Sequence, residues 1–187
     1  WSRREVKDLV RQGRVTVDGR TALRPEEKAD PASCCVRVDG QAVVLEPFVY
    51  VMMNKPAGLL SATEDRNQKT VLDLLPEELR RQNLFPVGRV DKDTEGLLLL
   101  TNEGGLAHDL LSPRHHVDKV YYARCAGPLS PEDCRAFAEG MVLEDGTRCL
   151  PAGLEILSSG PRSEALVTLR EGKFHQVKRM LAACGAP

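Results

Sequence analysis

The chain centres on the segment Val87-Gly88-Arg89-Val90-Asp91-Lys92-Asp93-Thr94-Glu95-Gly96-Leu97-Leu98-Leu99-Leu100-Thr101-Asn102. Its charged middle part lies between two apolar runs. The unbroken run of leucines at 97–100 predicts a strand buried on both faces. The charged residues before it predict a loop ending at Gly96, where a tight bend costs little. Loops on a rigid scaffold often carry catalytic groups; the alternative is a solvated connection whose charges only favour solubility.

This segment resembles the G-R-L-D-x-x-T-x-G-L-L-L-L-T-N-D-G signature of bacterial rRNA pseudouridine synthases of the small-subunit (16S), RsuA-like type. The resemblance implies that Asp91 is the catalytic aspartate. It extends through five motifs in the family's order, from Ser2 to Gly185. It therefore implies an α+β fold, the pseudouridine synthase fold: a mixed, mostly antiparallel sheet with a central cleft, preceded by a small αβ RNA-binding domain.

Length and composition set the outer limits of the interpretation. The 187 residues are 42% hydrophobic, enough for one medium domain and a small one. With a formal charge of -1, an RNA-binding surface requires local clustering of the 26 lysines and arginines. No apolar stretch suits a membrane span and the charged start is no signal peptide. The six cysteines form no C-x-x-C pair, which argues against zinc and secreted disulfides and favours a cytoplasmic protein with reduced thiols.

The first residues predict a helix followed by a hairpin. Ser2 and Glu5 form a capping box, and Gly13 supplies a stop. The strand pattern after it turns at Asp18-Gly19. This part resembles the alpha-L RNA-binding domain, named after a ribosomal small-subunit protein. The resemblance implies five RNA-contacting cations: Arg3, Arg4, Lys7, Arg11 and Arg14. Arg4, Lys7 and Arg11 share one helix face, which suits phosphate binding; the alternative is an ordinary solvated basic face.

Glu46-Pro47 predicts a domain boundary. We expect an RNA-binding domain at residues 1–44 and a catalytic domain at residues 48–187. Members of the alpha-L family begin with another helix, so we expect this domain to be partial. The synthases carry further strands after the position of Pro187, so we also expect the C-terminal end of the catalytic domain to be missing.

Two further motifs supply candidate RNA contacts. Asn54-Lys55-Pro56-Ala57-Gly58 resembles the N-K-P-x-G segment that opens the catalytic domain, and Lys55 is predicted to bind RNA or to be an exposed strand-end charge. Ser112-Pro113-Arg114-His115-His116 resembles the S-P-R-H-H of the small-subunit enzymes, which implies that Arg114 contacts a phosphate. A metal site at 114–116 has little support, because no carboxylate or cysteine has suitable spacing.

The remaining active-site candidates come from two late motifs. Tyr121, in Lys119-Val120-Tyr121, matches the tyrosine of the family's K-x-Y motif, although a strand tyrosine is more often a core residue. Because Tyr121 and Tyr122 point to opposite faces, at most one can approach Asp91. Residues 170–181 resemble E-G-[KR]-x-H-Q-V-[KR]-R-M, in which the cation beside the catalytic aspartate corresponds to Lys178. As a bare pattern, Lys178-Arg179 is a basic helix face. Lys173 in this motif is a further candidate RNA contact.

Pseudouridine formation breaks the ribose C1′–N1 bond, turns the base and joins C1′ to C5, so we expect no cofactor and no metal. Asp91 would act at the sugar, Lys178 would keep it ionised, and Tyr121 would stack under the base. Arg89 would hold the displaced strand after the nucleotide flips out. The expected partner is 16S ribosomal RNA. We expect the protein to act as a monomer and to have no membrane partner.

Three alternatives remain: a large-subunit (23S) synthase, a non-catalytic ribosome assembly factor, and a glycosidic-bond hydrolase that uses Asp91 and Asp93 as an acid/base pair.

Overall fold

A computed structural model describes residues 1–30, 33–44, 47–115 and 117–187. The chain divides into two compact units, Trp1–Pro47 and Phe48–Pro187. The predicted boundary at Glu46-Pro47 includes Glu46, which lies outside the described residues. Within the described ranges, no helix is both long and apolar enough to cross a bilayer.

The first unit contains one helix and a four-stranded sheet. Helix α1 (Arg3–Arg11) begins with the predicted capping box, in which the Glu5 amide donates to Ser2 and the Ser2 amide donates to Glu5. The strands are β1 (Val15–Val17), β2 (Arg20–Thr21), β3 (Val36–Val38) and β4 (Gln41–Ala42), in the antiparallel order β2-β1-β3-β4. Leu9 and Val10 of α1 pack with Val15 and Ala22 in a small core.

The predicted hairpin turn at Asp18-Gly19 is confirmed. Both residues adopt the left-handed conformation, with φ of 50° and 80°. A type I′ turn requires that conformation at both central positions, which is why Gly and Asp are favoured there. Asp39-Gly40 repeats the pair between β3 and β4, with φ of 52° and 80°.

The second unit contains two three-stranded sheets. The first has the order β5-β7-β6, made of β5 (Tyr50–Lys55), β6 (Phe85–Pro86) and β7 (Gly96–Thr101), and all its pairings are antiparallel. A 3₁₀ turn at Val71–Leu74 and the short helix α2 (Glu77–Arg80) connect β5 to β6, and α3 (Gly104–Leu111) follows β7. The core beside this sheet consists of Val71, Leu72, Leu75, Leu84, Leu98 and Leu100.

The prediction of a strand buried on both faces at residues 97–100 is wrong. Leu98 and Leu100 are almost fully buried, whereas Leu97 is 68% exposed. Side chains alternate across a strand, and only one face of β7 packs against this core. A run of four leucines hides the alternation because no polar residue marks the outer face.

The second sheet has the antiparallel order β8-β10-β9. It contains β8 (Lys119–Ala126), β9 (Gly153–Ser158) and β10 (Arg162–Leu169). Helix α4 (Pro131–Glu139) begins after the N-cap residue Ser130. Helix α5 (Gln176–Ala183) packs Met180 and Leu181 into a core with Phe137, Ala165, Val167 and Leu169. The predicted α+β class with mostly antiparallel strands is confirmed, and the strands of the second unit are divided between two sheets.

Candidate active site

Asp91 lies in the loop of residues 87–95, which connects β6 to β7 as the sequence predicted. Its side chain is 26% exposed, so it is reachable from solvent but largely enclosed by protein. The Thr94 amide donates to the Asp91 carbonyl at 3.1 Å and closes a turn directly after the carboxylate. The loop therefore presents Asp91 from a local structure of its own, between two paired strands.

The side chain of Lys55, at the end of β5, anchors this loop from below. Only 1% of Lys55 is exposed, and its ammonium donates to the carbonyls of Asp91, Lys92 and Thr94 at 3.1, 3.2 and 2.8 Å. A fourth bond reaches the Pro56 carbonyl at 3.1 Å. Burial lowers the pKa of Lys55, and the nearby carboxylate of Asp93 partly offsets that effect. The predicted RNA contact at Lys55 is thus wrong, because its donors are already used inside the protein.

Two more residues after β5 hold the same loop. Ser61 Oγ accepts from the Val90 amide at 3.2 Å and donates to the Val90 carbonyl at 3.0 Å. The Gly58 amide donates to the Lys92 carbonyl at 2.7 Å. The Asn54-Lys55-Pro56-Ala57-Gly58 motif therefore supports the loop that carries Asp91, and such fixed loops provide the pre-organisation that catalysis needs.

Two nitrogen-bearing side chains from the region of α5, a lysine and a histidine, approach Asp91. Lys178 Nζ lies 3.7 Å from Asp91 Oδ2, and His175 Nε2 lies 3.7 Å from Asp91 Oδ1. Lys178 makes its shortest contacts elsewhere, at 2.7 Å to each carboxylate oxygen of Asp93. The hydrogen bond to Asp93 raises the pKa of Lys178, and the same bond lowers the pKa of Asp93. The sequence pointed to the Lys178–Asp91 pair and missed the shorter one to Asp93.

His175 was missed as a site residue, although it lies inside the motif that pointed to Lys178. It is the residue before α5 and adopts the left-handed conformation, with φ of 47° and ψ of 37°. That conformation is uncommon for a residue with a β-carbon and is often found at functional sites. The only sequence signal was its position in the same motif, three residues before Lys178.

The segment before α5 is fixed by a buried carboxylate, Glu171. It accepts hydrogen bonds from the Leu150 amide and from Gln176 Nε2, both at 2.8 Å. Lys173 Nζ pairs with Glu171 Oε2 at 2.8 Å and also donates to the Arg148 carbonyl. Burial opposes the charge of Glu171, but these hydrogen bonds outweigh it and lower its pKa. Lys173, a predicted RNA contact, is partly exposed, and its ammonium also bonds within this cluster; its contact with RNA stays a prediction.

Tyr121 reaches the site from β8. It is partly buried against the second core. Burial, and next the negative charge of Asp91, raise the pKa of its hydroxyl. Tyr122 points to the other face, where it is 50% exposed and lies 5.6 Å from the Arg124 guanidinium carbon. The strand alternation thus assigns only Tyr121 to the neighbourhood of Asp91.

The other predicted RNA contacts lie at the surface. In the second unit, Arg89 and Arg114 are exposed. In the first unit, the exposed cations are Arg3, Arg4, Lys7, Arg11 and Arg14. Arg14 differs from the others because its guanidinium forms a bidentate ion pair with the Asp39 carboxylate, with N–O distances of 2.7 and 2.5 Å. Arg11 lies 3.3 Å from Asp8.

Two alternatives can be examined against the site. A hydrolase acid needs a raised pKa, whereas Lys178 lowers the pKa of Asp93, so the acid/base pair of Asp91 and Asp93 is disfavoured. At 114–116, His115 contacts Asp109 at 3.4 Å, and His116 lies outside the described residues. Among the residues the structure describes, no group of three or more His, Cys, Asp or Glu side chains could hold a metal ion.

Comparisons with known families and solved structures identify the class of protein. The profile of the RNA pseudouridylate synthase family matches residues 49–183, and that of the S4 domain matches residues 1–32. A solved structure described as a pseudouridylate synthase superposes with a TM-score of 0.68 at 31% identity, covering 99% of this chain and 78% of that one. The chain belongs to the RNA pseudouridylate synthase family, and it is an enzyme that acts on RNA.

Three relatives show how the match is distributed. The uncharacterized RNA pseudouridine synthase YtzG of Bacillus subtilis is 48% identical over 98% of this chain and 77% of its own length. The ribosomal small subunit pseudouridine synthase A of Vibrio cholerae is 40% identical over 98% of this chain and 78% of its own length. The ribosomal large subunit pseudouridine synthase B of Bacillus subtilis is 36% identical over 98% of this chain and 75% of its own length. The chain thus spans about three quarters of relatives named for either ribosomal subunit.

Proposed function

We propose that this protein converts one specific uridine of 16S ribosomal RNA to pseudouridine, as a monomer, with Asp91 as the catalytic residue. The observation that carries the proposal is the setting of Asp91. Its carboxylate is presented by a loop anchored through Lys55 and Ser61, and it lies 3.7 Å from both Lys178 and His175. A carboxylate beside the Lys178 ammonium and the His175 imidazole in a partly enclosed site suits chemistry at the ribose C1′.

The reaction is an isomerisation, so atoms and electrons balance within the uridine. The C1′–N1 bond breaks, the uracil turns, C1′ bonds to C5, the proton leaves C5 and N1 ends protonated. Asp91 starts the sequence either by attacking C1′ or by removing a proton from the sugar. Lys178 supplies positive charge beside the carboxylate, and no step requires an oxidant, a reductant or an activated group.

Tyr121 fits the role of the residue under the base. Its ring belongs to a rigid strand, and its hydroxyl is held in the neutral form by burial and by the charge of Asp91, which raise its pKa. A neutral phenol beside the turning uracil can stack on it and relay the C5 proton. Arg89 and Arg114 are exposed, unlike Lys55, so they are the proposed phosphate contacts in this unit.

The choice of 16S rRNA rests on two observations. The segment Ser112-Pro113-Arg114-His115-His116 follows the small-subunit pattern, and the Vibrio small-subunit relative shares 40% identity against 36% for the Bacillus large-subunit relative. The second candidate, a 23S enzyme, is favoured by that large-subunit relative. With ribosomal RNA as the substrate, we expect the protein to act in the cytoplasm. We also expect the S4-type unit to bind RNA through Arg3, Arg4, Lys7 and Arg11.

The test is a map of pseudouridines in 16S and 23S rRNA from cells with and without this gene, complemented by the wild type or by Asp91→Asn. One 16S pseudouridine should disappear with the gene and return only with the wild type. The Asp91→Asn protein should still bind the RNA. Loss of a 23S site instead would favour the large-subunit enzyme, and restoration by Asp91→Asn would mean an assembly factor.

A further inference from the structure

Phe174 is a large apolar side chain displayed beside the catalytic loop. It is 74% exposed, although phenylalanine is among the residues most often found inside proteins. Single exposed apolar residues are common and usually need no explanation. The position of this one, next to a site that must receive a nucleotide, gives it a chemical meaning.

The Phe174 ring is stacked on a site residue. Its centroid lies 3.9 Å from that of His175, with 16° between the ring planes. His175 Nε2 in turn lies 3.7 Å from Asp91 Oδ1. Phe174 is therefore one stacking distance from a side chain that contacts the catalytic carboxylate.

The turn that carries both rings is pre-organised by hydrogen bonds. Gln176 Oε1 accepts from the Lys173 amide at 2.9 Å, and the Gln176 amide donates to the Lys173 carbonyl at 3.2 Å. The Arg179 side chain donates to the Phe174 carbonyl at 3.4 Å. Because the backbone is already fixed, a ligand that stacks on Phe174 does not have to pay for ordering this turn.

We infer that Phe174 is the stacking platform for a nucleobase that flanks the target uridine. Single-stranded RNA is bound through bases stacked on aromatic side chains. The target base belongs over Tyr121, so the exposed ring of Phe174 takes the neighbouring base, which loses a stacking partner when the uridine flips out. This inference rests on the proposed function. It names Phe174 as the residue that holds the base next to the reacting nucleotide.

The kinetic test compares Phe174→Ala, Phe174→Leu and Phe174→Tyr on a 16S rRNA transcript. Loss of one base–aromatic stack should lower kcat/KM of Phe174→Ala roughly five- to one-hundred-fold, mainly through KM. Phe174→Leu keeps apolar area without a ring and should behave like Phe174→Ala, whereas Phe174→Tyr should remain close to the wild type. The control Leu157→Ala removes another exposed apolar side chain from β9 and should have no effect. Equal activity of Phe174→Leu and the wild type would overturn the inference.

A binding test does not depend on turnover. Trp1 is the only tryptophan of the chain and belongs to the first unit, so the double variant Trp1→Phe/Phe174→Trp places a single fluorophore at the proposed platform. Oligouridine should quench its emission by stacking, and an abasic oligonucleotide of equal length should not. Quenching by both, or by neither at concentrations that saturate binding, would contradict the inference.

The two tests separate failure of this inference from failure of the proposed function. If Phe174→Ala retains full kcat/KM while Asp91→Asn is inactive, the function stands and the stacking role is refuted. If the wild type modifies neither 16S nor 23S transcripts, the proposed function fails. The fluorescence result then still decides whether Phe174 stacks on bases.

Discussion

Lys178 is shared between two carboxylates: its ammonium lies 2.7 Å from each oxygen of Asp93 and 3.7 Å from Asp91 Oδ2. Asp93 is 71% exposed, whereas Asp91 is 26% exposed. An exposed ion pair contributes little to stability. The pair with Asp93 leaves the Lys178 ammonium within reach of the more enclosed Asp91.

The sharing of Lys178 predicts that replacing Lys178 and replacing Asp93 change kcat by different amounts. Lys178→Met should lower kcat about a hundredfold, because it removes a charge aimed at the reacting carboxylate. Asp93→Asn should change kcat by less than about threefold, because Lys178 remains beside Asp91. Single-turnover rates on the rRNA transcript measure both.

Arg135→Met is the control for Lys178→Met. Arg135 belongs to another helix, α4, where it forms an exposed ion pair with Glu132. Its replacement should leave the rate of the chemical step nearly unchanged. If Asp93→Asn were as damaging as Lys178→Met, Asp93 would have a direct part in the chemistry.

Lys55→Met should destabilise the protein by about 3 kcal/mol, since it leaves buried carbonyls without their charged donor. Three of the four lost hydrogen bonds connect β5 to the loop of Asp91, and the fourth reaches the Pro56 carbonyl. Urea unfolding of the variant measures the loss. Lys69→Met makes the same change at an exposed position and should stay within about 0.5 kcal/mol of the wild type. Similar effects for both would show that the buried ammonium is not an anchor.

The contrast between Lys55 and Ser2 explains which features the sequence could predict. The Ser2–Glu5 cap and the Asp18-Gly19 turn are local, because the partners lie within three residues and the conformations follow from the residue types. Lys55 binds carbonyls up to 39 positions further along the chain. A lysine in a sequence carries no mark of that distant acceptor set, so an RNA contact was the natural expectation.

The active site was predictable only where the family pattern named a residue. Asp91, Tyr121 and Lys178 became candidates that way, and the structure places Lys178 and Tyr121 near Asp91; their catalytic roles stay predictions. The contact of His175 depends on its left-handed backbone before α5, and the contact of Asp93 depends on the path of the loop. Neither conformation could be read from charge spacing.

Tyr121→Phe should lower turnover about a hundredfold if the phenol relays the C5 proton. Tyr122→Phe, on the opposite face of β8, should keep wild-type turnover. This adjacent pair gives a matched comparison in one strand, measured as kcat on saturating RNA. Equal turnover of Tyr121→Phe and the wild type would restrict Tyr121 to stacking.

Tyrosinate absorbance tests the proximity of Tyr121 to Asp91. Burial and the charge of Asp91 raise the pKa of Tyr121, so Asp91→Asn should lower that pKa while leaving it above the ordinary value, since burial persists. Because the folded-state pKa of Tyr121 is raised, the contribution of Tyr121 to stability is complete below the unfolded-state pKa of about 10. That contribution is lost as pH rises through the folded-state pKa. Subtracting the titration of Tyr121→Phe assigns the signal among the three tyrosines. An unchanged pKa in Asp91→Asn would contradict the neighbourhood.

Glu171→Gln should destabilise the protein by about 2 kcal/mol at neutral pH, because an amide cannot accept all the hydrogen bonds from Leu150, Gln176 and Lys173. The pH dependence gives a second readout. The folded-state pKa of Glu171 is lowered, so its stabilisation is present above the unfolded pKa of about 4.3 and is lost as pH falls through the folded value. The difference between wild type and Glu171→Gln in urea unfolding should therefore shrink in acid. Glu132→Gln, in an exposed pair with Arg135, is the control and should cost less than about 0.5 kcal/mol at any of these pH values. A wild-type stability for Glu171→Gln would mean that the turn carrying Phe174 and His175 is held by its backbone alone.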